Sequence, residues 1–239
     1  MKRHPVVGSL IAGILILSGT ALGDEAVVLD GNSLDGWRAP LGEWKTVSAV
    51  EANPNDEKLF AVDPGRGVMI NGEKGKTSNI LSKFEHGDVE AHIEFCVPKG
   101  SNSGVYFMGR YEVQVFDSWG VEEPKYSDCG GIYQRWKDGK GYEGHPPRLN
   151  ASKPPLEWQS FDVVFRAPRF DASGKKIENA CFVKVIHNGK VVHENVSLTG
   201  PTRAATYENV AEKPLGPLML QGDHGPVAYR NIRLKAIKL

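Results

Sequence analysis

Residues 100–118 read GSNSGVYFMGRYEVQVFDS. Within them Tyr111-Glu112-Val113-Gln114-Val115 alternates apolar and polar side chains, the period of a strand with one face in a core. The polar face carries an acid and an amide where lysines and serines would serve a plain solvated surface. Working outward, the same period recurs at 43–47, 67–70, 79–82, 88–97, 104–108, 130–136, 159–167, 180–187, 190–196, 218–221 and 228–237, with turn residues between the runs. Short alternating segments punctuated by turns, with almost no helical periodicity, predict an all-β sandwich. His187-Asn188-Gly189-Lys190 places Asn-Gly between two apolar-rich runs, which suits a type I′ hairpin. Residues 137–156 break the pattern and are rich in Gly, Pro and Tyr. A loop of that length is usually functional or disordered, and its aromatic content predicts a lid.

Residues 1–23 have the layout of a secretory signal peptide: Lys2, Arg3 and His4, an apolar run from Val6 to Leu17, and Ala21-Leu22-Gly23 before Asp24. The mature chain is therefore expected to start at Asp24, to form one domain over residues 24–239, and to lie in the periplasm or outside the cell. The apolar run is short for a membrane span. Lys and Arg number 29, balanced by 29 Asp and Glu, and they are scattered. That distribution argues against nucleic acid and anionic membranes as partners and favours neutral ones. Cys96, Cys129 and Cys181 are widely spaced, with no Cys-x-x-Cys pair, and allow either one disulfide or buried free thiols.

Four stretches carry a resemblance: LDGNSLDGW (29–37), LSKFEHGDVEAHIEFCVPKGSNSGVYFMGRYEVQVFDS (81–118), PPLEWQSFDVVFRAPRF (154–170) and LMLQGDHGPVAYRNIRLKAIKL (218–239). In this order they resemble the 3-keto-disaccharide hydrolase family of bacterial secreted proteins. The resemblance implies a concanavalin-like jelly roll, two curved antiparallel sheets whose concave face holds carbohydrate. For some members it also implies cleavage of glycosides oxidised to a ketone at sugar carbon 3. A weaker resemblance, to laminarinase-type glycosidases of the same fold, lays their Glu-x-Asp-x-x-Glu pattern on Glu112, Gln114 and Asp117. Only Glu112 matches, and a retaining glycosidase needs two carboxyl groups about 5–5.5 Å apart.

A ketone at carbon 3 acidifies the hydrogen on carbon 2, and the carbon 1 substituent can then leave by elimination. The route needs a base, a donor or cation at the carbon 3 oxygen, and an acid at the departing oxygen. Glu112 is the candidate base, Gln114 an amide donor, and Arg110 the cation. In Gln221-Gly222-Asp223-His224-Gly225 the glycines free the backbone, His224 is the candidate acid/base partner because histidine titrates near neutrality, and Asp223 can orient it. Asn102 and Tyr106 lie just before the site strand, and Tyr133 and Tyr142 offer rings that stack on pyranoses. Glu94 and His92 share one strand face and are able to hold a divalent cation. Trp37, Trp44 and Trp158 read as core. A non-catalytic lectin-like module and a laminarinase-like glycosidase are the competing readings of the same face.

Overall fold

The computed structural model describes residues 26–239; the expected signal peptide, residues 1–23, lies outside the described residues. Among the described residues every regular element is a strand: β1 (Val27–Leu29), β2 (Lys45–Ala52), β3 (Phe60–Ile70), β4 (Ile80–His86), β5 (Val89–Cys96), β6 (Asn102–Phe107), β7 (Tyr111–Phe116), β8 (Arg135–Lys137), β9 (Lys140–Tyr142), β10 (Gln159–Arg166), β11 (Arg169–Phe170), β12 (Lys176–Glu178), β13 (Ala180–His187), β14 (Lys190–Leu198), β15 (Gly216–Leu220) and β16 (Ala228–Ala236). They build an antiparallel jelly-roll sandwich. The larger sheet runs β14-β13-β10-β5-β16-β3-β2, with β1 also on β16; the smaller runs β4-β15-β6-β7. Two short hairpins, β8–β9 and β11–β12, stand apart from both sheets.

The core follows from the alternation. In β10, Phe161, Val163 and Phe165 turn inward and are at most 2% exposed, while Ser160, Asp162, Val164 and Arg166 stay half-buried on the other face. Opposite them β7 sends in Tyr111, Val113 and Val115, and β6 sends in Val105 and Phe107. Ring centroids meet at 4.7 Å for Phe95–Phe161 and 5.3 Å for Phe107–Phe165. Each fully buried Phe side chain stabilises by about 1.5–3 kcal/mol in transfer terms, so this aromatic layer is a principal adhesive between the sheets.

Local chemistry sets the turns. Asn188 (φ 49°) and Gly189 (φ 78°) supply the two positive φ angles of the expected type I′ turn between β13 and β14. Asn231 (φ 49°) marks the bulge where β16 shifts register between Arg230 and Arg233 against β5. Trp37 and Trp44 are buried, and Trp158 packs beside a second apolar cluster that includes Val47 and Ile70, with the Arg230 guanidinium 3.9 Å from its ring centroid. All three cysteines are buried free thiols.

Two expectations need correction. Residues 130–136 do not form a regular strand; Ile132 alone bridges Val113 on one side and His145 on the other, and β8 begins only at Arg135. Its backbone instead covers the free edge of β7, with Gly130 N and Gly131 O bonded to Gln114 at 2.8 Å each. The segment 137–156 is likewise no lid: β9 folds back on β8, and His145 is tied to Ile132 in both directions.

Candidate active site

Strands β6, β7 and β15 of the smaller sheet are buried on both faces, and this resolves the oddity of their polar residues. On the face turned away from the core, Glu112 and Gln114 are each only 3% exposed. Register places Tyr106 opposite Glu112, and Gly104 opposite Gln114. A side chain at 104 would overlap Glu112 Oε1 and the Tyr106 ring, so the glycine makes the space that the carboxyl group occupies. Over this face lies the irregular run 199–215 between β14 and β15. Thr202 N donates to Arg110 O at 2.8 Å, and Glu112 N donates to Thr202 Oγ1 at 3.1 Å, so the run is stitched to the strand it covers.

Between them is a cavity of about 230 Å³ lined by Asn102, Tyr106, Glu112, Gln114, Tyr133, Arg203, Ala204, Gln221 and His224. At about 30 Å³ per water this is room for roughly eight waters, which suits one sugar ring rather than a chain of rings. Buried Glu112, Gln114, Tyr106 and Gln221 form its floor; exposed Arg203, Ala204 and His224 form its rim.

Burial pushes the Glu112 carboxyl up to about 8; the Tyr106 hydroxyl opposes the shift and the charge of Asp223 adds to it. The phenol of Tyr106 is itself held well above the usual tyrosine range, by burial first and then by Glu112. Gln221 Nε2 reaches Tyr106 Oη at 3.4 Å. At neutral pH the floor is therefore uncharged and carries a proton on Glu112. Gln114 Nε2 donates to Ser127 O at 3.2 Å, which commits part of the amide expected to face the sugar. Asn102 Oδ1 is buried with no hydrogen-bond partner among the described residues, an acceptor that a ligand hydroxyl would satisfy. At the rim His224 Nδ1 lies 2.6 Å from Asp223 Oδ1. A carboxylate there fixes the proton on Nδ1 and leaves the Nε2 lone pair as the ring's basic atom.

The sequence candidates thus divide. Asn102, Tyr106, Glu112, Gln114, Tyr133, Gln221 and His224 converge on the cavity, with Asp223 behind His224. Arg110 does not: its guanidinium donates to Tyr207 O at 2.5 Å, Val210 O at 2.7 Å and Ala211 O at 2.7 Å, so it clamps the covering run and does not face the cavity. Asp117 accepts from Gly100 N at 2.8 Å and caps a turn. Tyr142 lies on β9 against Arg135, whose Cζ is 4.9 Å from its ring centroid. His92 and Glu94 stand on the outer face of the larger sheet, with the core between them and Glu112. There His92 Nδ1 meets Asp162 Oδ1 at 2.6 Å, and Glu94 meets Arg230 at 2.6 Å and Asn231 at 3.0 Å. Burial raises the Glu94 carboxyl, but the hydrogen bonds from Arg230, Asn231 and His92 and the Arg230 charge together outweigh it and hold the group below the usual range. Among the described residues no three His, Cys, Asp or Glu side chains cluster as a metal site would require. Sequence reasoning missed Arg203 and Ala204. The available signal was length: 199–215 exceeds the ~12–15 residues beyond which an irregular loop is usually functional or disordered.

The fold is that of a carbohydrate-active jelly-roll protein, with a cavity of about 230 Å³ on its smaller sheet. The chain belongs to the 3-keto-alpha-glucoside-1,2-lyase-like domain family, whose model matches residues 24–235. It is similar to a Parabacteroides distasonis protein assigned to the glycosyl hydrolases, at 28% identity over 89% of this chain and 84% of that one, with a TM-score of 0.65. A second such protein of the same organism aligns at 22% identity over 81% of this chain and 99% of that one, with a TM-score of 0.49. No curated protein matches the chain.

Proposed function

We propose that the protein is a secreted enzyme that cleaves glycosides carrying a ketone at carbon 3, by elimination followed by hydration. One observation carries this reading: the cavity holds a single carboxyl group. Retaining and inverting glycosidases both work with a carboxyl pair; Asp117 is engaged by Gly100 N, and Asp223, whose charge reaches Glu112, stands outside the lining with His224 Nδ1 2.6 Å from its Oδ1. Elimination from a 3-ketone asks instead for one base and one acid, and burial and hydrogen bonding separate those roles.

His224, with Nδ1 held by Asp223, takes the carbon 2 proton on Nε2. The electron pair of that C–H bond becomes an enolate across carbons 2 and 3. As the carbonyl re-forms, the carbon 1–oxygen bond breaks, a double bond forms between carbons 1 and 2, and the departing oxygen takes the Glu112 proton. Water then adds: the Glu112 carboxylate receives its proton, hydroxyl bonds to carbon 1, and His224 returns a proton to carbon 2. This exchanges the roles expected from the sequence, where Glu112 was the base. The physical reason is burial, because a carboxyl group that keeps its proton up to about pH 8 is an acid at neutral pH.

The test is turnover of matched substrates by the purified mature protein. A 3-keto-disaccharide is expected to release 3-keto-glucose while the unoxidised disaccharide stays intact. Binding without cleavage would identify a lectin-like module, and faster cleavage of the unoxidised sugar a conventional glycosidase; either result overturns the proposal.

A further inference from the structure

Elimination builds negative charge on the carbon 3 oxygen, and Arg110 is unavailable to meet it. Arg203 lines the same cavity, and its circumstances are the reverse of those of Arg110. Among the described residues its guanidinium has no ion-pair or hydrogen-bond partner; it lies over Trp136, with Cζ 3.9 Å from the ring centroid. A cation held by an aromatic face keeps its N–H edges free to donate. Trp136 is 40% exposed, so this shelf sits at the rim and not in the core. The backbone beneath Arg203 is fixed. Its own N–H donates to Gln134 O at 3.0 Å, Thr202 before it bonds Arg110 O and the Glu112 N–H, and Ala204 after it adopts φ 60° and donates to Glu208 Oε2 at 2.8 Å. The anchor of Arg203 is thus the strand that carries Glu112.

We infer that Arg203 is the cation that meets the substrate's carbon 3 oxygen, with Trp136 as the positioning residue that holds the guanidinium on the cavity rim. The inference rests on the reading above. It concerns a charge that is absent from the neutral ketone and full in the enolate, so the interaction strengthens along the reaction and acts on kcat more than on KM.

The experiment compares variants by steady-state kinetics on a 3-keto-disaccharide, after thermal melting has shown each to be folded. Arg203→Ala is expected to lose about 10²–10³ in kcat, the loss typical of removing one oxyanion donor, with KM changed far less. Added guanidinium ion should restore part of the Arg203→Ala rate and none of the Glu112→Gln rate. Trp136→Ala should lower kcat about tenfold and Trp136→Phe should recover most of it, since the ring face is what matters. If wild type cleaves the ketone and Arg203→Ala stays within roughly threefold of its kcat, a difference of under 1 kcal/mol in barrier, this inference fails alone. Equal losses in both Trp136 variants would reduce Trp136 to packing. A wild-type protein inert on the ketone ends the parent reading and this one together.

Discussion

Glu112 is a carboxylic acid in a place where a carboxylate is disfavoured, and its consequences run in two directions. Between its ordinary 4.5 and about 8 the folded protein holds a proton that the unfolded chain releases. Folding stability therefore falls as pH rises through that window. Glu112→Gln keeps shape and removes the titration, so the variant should melt at about the wild-type temperature near pH 5 and clearly above it near pH 9; equal melting temperatures at both would show that Glu112 is not desolvated. Turnover should move the other way, falling about 10²–10⁴-fold in the same variant while sugar binding persists. In the wild type, kcat/KM should decline as pH rises past about 8, where the acid loses its proton. A profile flat to alkaline pH would remove Glu112 from the acid role.

At the scale of elements, the site is the meeting of β6, β7, the β15 end and the covering run 199–215. Gly104 is where β6 yields space to the β7 carboxyl group. Gly104→Ala is expected to displace the Glu112 side chain and lower kcat by more than tenfold while the protein stays folded, because the strand conformation itself accepts alanine. Unchanged kinetics would mean the carboxyl group has room to spare. The sequence made β6 and β7 legible through period two, and Glu112, Gln114, Asn102 and Gln221 with them, because residues on one strand face keep company whatever the fold. It did not reveal that their face is covered. Alternation reports which side chains share a face but not what lies over it, so a solvated face and a roofed one read alike. For the same reason His92 and Glu94, which alternate as cleanly as Glu112 and Gln114, read like site residues although they stand on the outer face of the larger sheet. Arg110 precedes the site residue and reads as its cation, yet the carbonyls of 207–211 that engage it are about a hundred residues downstream and carry no local signal.

For the whole molecule, β16 is the keystone. It lies between β5 and β3 and also pairs with β1, so the last strand of the chain is internal to the larger sheet and not its edge. Ile232 and Leu234 on it are fully buried. Leu234→Ala is expected to cost about 2–5 kcal/mol, measured by denaturant unfolding; a cost under ~1 kcal/mol would contradict its place in the core. Secretion is a separate proposal: tagged full-length protein should appear outside the cytoplasm with Asp24 as its first residue, and cytosolic protein retaining Met1 would refute it. The central claim is that cleavage passes through loss of the carbon 2 hydrogen. The most direct measurement is the NMR of 3-keto-glucose released in heavy water, with exchange by the free product measured in parallel. His224 is exposed, so the proton it takes exchanges with solvent before one is returned, and the account predicts deuterium at carbon 2 of the product, lost together with turnover in His224→Ala. Product that forms at the wild-type rate with its original hydrogen still on carbon 2 would contradict it.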